Sequence, residues 1–369
     1  MAYHKSPERN QSISQLIIPI DERLNLSISY FNKSGDVNLD NSYQKVQEKR
    51  SFCRKLIATL ALIFAITVGA ASTPITSSLN LKSPMLKLAW RNTCILPYLT
   101  IVAVIELKCF NRGFQFFKFL RQNFIQMILL GIVSNCMSLG YIWSAEYTII
   151  GHTCLFGGLG GAFIVIYCII QGLFVHKYEM IGTVLSLVGC GIALFDGSAA
   201  KIDATKQNIL LGDIIAAFSS IFLALYFSFQ GKYAEIVPPF TLMLIIFVFA
   251  SVCANTFGCL IMPNFTLSMD PYTGVFGFLH PQNVQFAFIN LGFVAGFVCF
   301  FLLGFLVKEF SPLVMCTAYL VEPFFAQIFG CILGLDKIPG VLSGLGCCIT
   351  ILGMYYVSLG NTRRQEQGK

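Results

Sequence analysis

The sequence predicts an all-α membrane protein of about ten transmembrane helices, arranged as two inverted five-helix repeats. Three observations predict it. Only 12% of the residues are charged and 56% are hydrophobic, whereas a water-facing domain carries about 25% charged residues. The charges sit in short stretches between apolar runs, and 56–81, 122–145 and 338–362 each reach the roughly 20 residues that cross a hydrocarbon core. Finally, glycines seven apart recur near the end of each half, as Gly182/Gly189 and Gly346/Gly353.

The runs are apolar on every side. A spanning strand would alternate apolar and polar residues, so these runs read as helices that satisfy their own backbone groups. In chain order, residues 1–54 are polar and too poor in apolar residues to build a core, and they read as a disordered cytosolic tail. No cleavable signal is evident, and the first run reads as an uncleaved signal-anchor. The helices are expected at approximately 56–76, 86–107, 122–143, 147–174, 179–195, 210–230, 240–261, 285–307, 312–335 and 339–359. The fifth is short, and the ninth is interrupted by Glu322-Pro323. Residues 361–369 read as a second cytosolic tail. Between the second and third helices, the stretch from Phe110 to Phe124 mixes Phe with Arg112, Lys118 and Arg121. It suits either an interfacial segment or an extension of the third helix.

Charge sets the orientation. With the N-terminus cytosolic, the cytosolic stretches from Lys45 onward hold about fifteen Lys and Arg and the opposite ones about six, the distribution expected of an even number of crossings with both termini inside. The longest opposite-side loop, 262–284, has neither Lys nor Arg and carries Asn264-Phe265-Thr266, a glycosylation sequon. The net charge of +7 collects at helix ends, not on a basic face interleaved with aromatics, so no nucleic-acid partner is expected. The 14 cysteines form no C-x-x-C pair and mostly lie within apolar runs, where free cysteine acts as a small hydrophobe. His4, His152, His176 and His280 form no cluster, and neither a metal nor another cofactor is expected.

Residues 55–198 and 199–360 are the two expected repeats. Five is an odd number, so the second repeat enters the membrane from the opposite side, as in many transporters. Ionisable groups inside a membrane are costly and usually face a cavity or a partner, which makes the list of site residues short. Glu322 with Pro323 marks either a polar, partly unwound binding point or a structural kink. Tyr319 lies three residues before Glu322 and shares its face. Arg91 either neutralises a solute or anchors the second helix at the interface. His152 opens the fourth helix. Tyr226 and Gln230, four apart, share a face of the sixth and either line a pocket or bond between helices. Asp213 suits the N-terminal dipole of that helix. Gly157/Gly161, Gly292/Gly296, Gly330/Gly334 and Gly340/Gly344 have the spacing of close helix packing.

With this layout, the stretch from Tyr319 through Glu322-Pro323 to Ala326, the acid Asp336 opening the next turn, and the final helix with Gly346 and Gly353 resemble the drug/metabolite transporter superfamily, specifically its EamA-like ten-helix branch. Trp90-Arg91 is similar to that family's aromatic–Arg pair. The resemblance covers residues 55–360. It departs from the pattern at Asp336, where Glu is usual, and in the first repeat, where Gly157–Ile166 lacks the Pro and Gln171-Gly172 lacks the acid. It implies a central cavity between the halves, alternating access, and movement of small metabolites.

The expected function is therefore transmembrane transport of a small organic solute, with a coupling ion or proton and a homodimer left open as partners besides the lipid bilayer. No nucleotide-binding motif is present. Carriers of phosphorylated solutes in that family use Lys or Lys-Arg within the later helices, and 315–326 holds neither, so the resemblance disfavours phosphorylated solutes, with Arg91 keeping them open, and leans toward neutral or zwitterionic ones. A membrane-embedded enzyme is the less expected reading because the intramembrane acids are isolated. A non-transporting receptor or assembly subunit is the other alternative.

Overall fold

The structure is a computed structural model that describes residues 54, 56–79, 81, 83–111, 113–148, 150–195, 208–262, 265–334 and 340–366. The expected tail, the sequon residue Asn264 and the turn residue Asp336 lie outside them, apart from Arg54 in the tail. Ala58–Lys369 forms one packed unit.

The chain is an integral multi-pass membrane protein. Among the described residues it is helical with no strand beyond one isolated bridge between Thr266 and Gly274, and nine helices are long and apolar enough to cross a membrane. These are α1 (Leu56–Ser78), α2 (Pro84–Phe110), α4 (Phe124–Tyr147), α5 (Ile150–Ile170), α7 (Ile209–Ala234), α8 (Pro239–Ile261), α9 (Phe286–Leu306), α10 (Pro312–Ile332) and α11 (Val341–Arg364). The helix of α11 continues to Glu366, past the end expected from the apolar run. Two further helices are α3 (Phe116–Gln122) and α6 (Lys177–Leu194). At 18 residues α6 rises about 27 Å, just short of the ~30 Å hydrocarbon core. α3 is a separate short helix that ends at Asn123, so the Phe-rich stretch is not an extension of α4. Its Phe119 is buried while Phe117 is exposed.

Local chemistry sets the ends. Pro84, Pro239 and Pro312 open α2, α8 and α10, where a missing N–H costs nothing. The Ser311 hydroxyl accepts from Val314 N–H, and the Asn208 side chain accepts from Leu211 N–H. Asp213, expected to serve the dipole at the start of α7, is not that cap. Both α5 and α10 stop at a left-handed glycine, Gly172 (φ 66°) and Gly334 (φ 72°), a conformation that side chains with a Cβ resist.

The packing is pairwise. α2 lies against α8 and α9, α4 against α7 and α8, α5 against α7 and α10, and α6 against α11. The last pair is the most intimate. A Cβ on Gly182 would stand 2.5 Å from the Gly353 carbonyl oxygen, and one on Gly189 would stand 2.7 Å from that of Gly346. The pairing 182–353 and 189–346 makes α6 and α11 antiparallel. Between the glycines, Ser186 Oγ donates to Thr350 O (3.2 Å) and Thr350 Oγ1 donates to Ser186 O (3.3 Å). The other spaced glycines divide: Gly292 meets Cys94 of α2, whereas Gly334 is a turn residue and Gly344 faces open space.

The 262–284 loop, where described, is a structured cap. Phe265, Val275 and Phe278 are buried in a cluster with Trp90, Leu86 and Leu291, and Trp90 Nε1 donates to Gly274 O (3.0 Å). Asp270 holds the turn by accepting from the N–H of Tyr272 and from the N–H and hydroxyl of Thr273.

Candidate functional site

The site forms around a helix break that the sequence dictates. Pro323 has no N–H, so the carbonyl of Tyr319, four residues back, loses its α-helical partner. That carbonyl takes the N–H of Glu322 instead, and Tyr319–Val321 becomes a 3₁₀ turn between Pro312–Ala318 and Glu322–Ile332. Residues three apart eclipse in a 3₁₀ turn, which sets Tyr319 and Glu322 side by side. Both line one cavity.

The cavity measures about 60 Å³. That is room for a few waters, far below the roughly 300–1,000 Å³ of a pocket holding an organic ligand. Its walls come from five helices besides α10. α1 contributes Gly69, Ser72, Thr73 and Thr76, and α4 contributes Ser138 and Tyr141. Leu223 comes from α7, Cys299 and Phe300 from α9, and Arg91 from α2.

Arg91 is the most unusual of these groups. It is only 6% exposed, and its Nε and Nη2 have no hydrogen-bond partner. The guanidinium carbon stands 5.8 Å from the centroid of the Phe300 ring, within cation–π range. This corrects the anchoring alternative, because a snorkelling arginine places its head in water. Glu322 is 4% exposed, and its Oε2 accepts one long contact from the Tyr141 hydroxyl, 3.5 Å. A buried cation and a buried carboxyl thus share one chamber without pairing to each other among the described residues.

The other expected site residues go elsewhere. Tyr226 and Gln230 share a face, but they point to the Met243 sulfur of α8 at 3.6 and 3.5 Å and do not line the cavity. His152 is not in the cavity either. Its Nδ1 lies 3.1 Å from both carboxylate oxygens of Asp213, which also accepts from Thr148 Oγ1 at 2.8 Å. Gly346 and Gly353 are packing residues of the α6–α11 contact.

Several groups were not singled out by the sequence. Gly69, Ser72, Thr73 and Thr76 occupy positions i, i+3, i+4 and i+7, a single stripe of α1, and that spacing was the available signal. Tyr141 and Ser138 lie three apart on α4. Glu106 is buried and accepts from Thr241 N–H (2.8 Å) and Oγ1 (2.9 Å) at the start of α8. Lys87 pairs with Glu146 at 3.1 Å. α9, which lines the cavity with Ala295, Cys299 and Phe300, is a π-helix over Phe286–Val298, a rare geometry found often at functional sites.

No family model matches the chain. No curated protein matches it either. Among solved structures, one described as "Crystal structure of protein" superimposes with a TM-score of 0.59 over 82% of this chain and 97% of its own length, at 16% identity. That likeness is one of fold alone.

Proposed function

We propose that this chain is a secondary transporter of a small organic solute, working by alternating access between two inverted five-helix halves, 55–198 and 199–360, with both termini cytosolic. The observation that carries the reading is the Arg91 guanidinium, buried in a chamber with its Nε and Nη2 left without a hydrogen-bond partner. Burying an unpaired cation is strongly unfavourable, and a polar solute atom or water completes it. Glu322, Tyr319 and Tyr141 supply a second polar end, and Glu322 is the group suited to carry a coupling proton. The chamber is too small for a metabolite in this closed form, so admission requires the helices to part. The break at Tyr319–Val321 and the π-helical length of α9 are the places where backbone bonding is already irregular.

Several features support the inverted arrangement. Each half ends in a helix entered after a left-handed glycine, Gly172 or Gly334. The helices that would correspond, α2 with α8, α5 with α10 and α6 with α11, pack on each other. The glycine pairs of α6 and α11 meet in antiparallel register, and the distribution of Lys and Arg fits even crossings. The resemblance of Glu322-Pro323 and Trp90-Arg91 to the drug/metabolite transporter superfamily points the same way.

Counterflow in proteoliposomes tests the proposal, with a panel of labelled amino acids, organic acids and neutral sugars. One class should show saturable exchange. Arg91→Gln and Glu322→Gln should each lower it about 10- to 100-fold, the effect of losing one charge-assisted hydrogen bond. Folded protein with no saturable flux for any class would favour a receptor or assembly subunit instead.

A further inference from the structure

A second, larger hollow lies away from the chamber, between α5, α7 and the start of α10. It has a volume of about 690 Å³, and its walls include Ile166, Ile170, Leu225, Phe229 and Leu313. Its cations are Lys232 and Arg364, which stand in the last turns of α7 and α11. Among the described residues no other charged side chain lines it. From Ile221 to Lys232 the wall rises about 16 Å along α7 at 1.5 Å per residue, about half of the ~30 Å hydrocarbon core. The groove is therefore as deep as one leaflet, apolar along its length and cationic at the rim.

We propose that this groove binds one anionic phospholipid, its acyl chain along α5 and α7 and its phosphate at Lys232 and Arg364. Charge complementarity selects the occupant. Arg364 is partly engaged, its Nη1 standing 3.4 Å from Glu179 Oε2. Lys232 is exposed and has no hydrogen bond or ion pair among the described residues. The rim therefore keeps one uncompensated positive charge, which a zwitterionic headgroup meets less well than a net-anionic one. Basic pockets between transmembrane helices are a recognised setting for such headgroups. Arg363, stacked 4.7 Å over Tyr178, adds to the positive field at the same helix end. The inference needs the chain to be embedded in a bilayer but does not depend on transport.

Native mass spectrometry of the purified full chain, titrated with phosphatidylglycerol or phosphatidylcholine, tests the site. The wild type should bind phosphatidylglycerol about fivefold tighter, the effect of one cation near a lipid surface. Lys232→Gln breaks no bond and should abolish the preference. Ser228→Trp fills the groove from an exposed position whose hydroxyl bonds only within its own helix, to Ala224 O, and should weaken binding of both lipids. Excess inorganic phosphate should leave phosphatidylglycerol bound, because the acyl chain holds it. Equal affinity for the two lipids would overturn the proposal, as would an unchanged preference in Lys232→Gln or unchanged binding in Ser228→Trp. Displacement by inorganic phosphate would also overturn it, since the site would then be a plain anion site.

Discussion

Gly182 of α6 and Gly353 of α11 meet backbone to backbone: a Cβ on Gly182 would stand 2.5 Å from the Gly353 carbonyl oxygen and 2.6 Å from Val357 N. Neither contact atom is the tip of a flexible side chain, so the neighbour cannot swing away. Without a hydrophobic drive between helices in lipid, association depends on such close approach. Gly182→Ala should cost about 1–3 kcal/mol through overpacking. Gly344→Ala, whose Cβ would meet open space in the same pair of helices, should be neutral or stabilising by up to about 1 kcal/mol. Thermal unfolding of the two variants in one detergent separates packing glycines from the rest.

Arg91 yields an unusual pairing of outcomes. Because its Nε and Nη2 make no hydrogen bond, replacing it removes a desolvated charge and breaks no bond at either atom. Arg91→Met should unfold at the same temperature as the wild type or higher, while solute exchange is lost. A clear loss of stability would mean that the guanidinium is structural.

Asp213 is held from two sides, by Thr148 Oγ1 at 2.8 Å and His152 Nδ1 at 3.1 Å. Asp213→Ala should destabilise by about 1–3 kcal/mol, because it removes the carboxylate that Thr148 Oγ1 and His152 Nδ1 both contact. A double-mutant cycle with His152→Ala should show coupling between the two sites, since they share one network. Solute exchange should persist in folded Asp213→Ala, because neither residue lines the chamber.

The cap should loosen in acid. The N–H of Tyr272, with the hydroxyl and N–H of Thr273, holds the Asp270 carboxyl below its ordinary range. A depressed folded-state value means that the contribution is present above the unfolded carboxylate range and lost as pH falls through the folded one. Trp90 reports the cap, because its indole N–H donates to Gly274 O. In a Trp143→Phe background its fluorescence should shift red as pH drops below about 4. Asp270→Asn should show the shifted spectrum at neutral pH.

The amino-acid sequence alone determined which stretches form helices long and apolar enough to cross a membrane, α6 excepted, and it determined the break in α10, since Pro323 has no proton to give. It also named the chamber's Arg91, Glu322 and Tyr319, because ionisable and polar residues are rare at that depth. Only the tertiary structure decided which way each group turns. It placed Arg91 in the chamber and not at the interface, sent Tyr226 and Gln230 to the Met243 sulfur, joined His152 to Asp213, and brought the hydroxyl stripe of α1 to the wall. The reason is physical. In lipid the outward face of a helix is as apolar as the buried one, so hydrophobic periodicity does not mark the inner face. Small residues and hydroxyls mark it only faintly, until the neighbouring helices are in place.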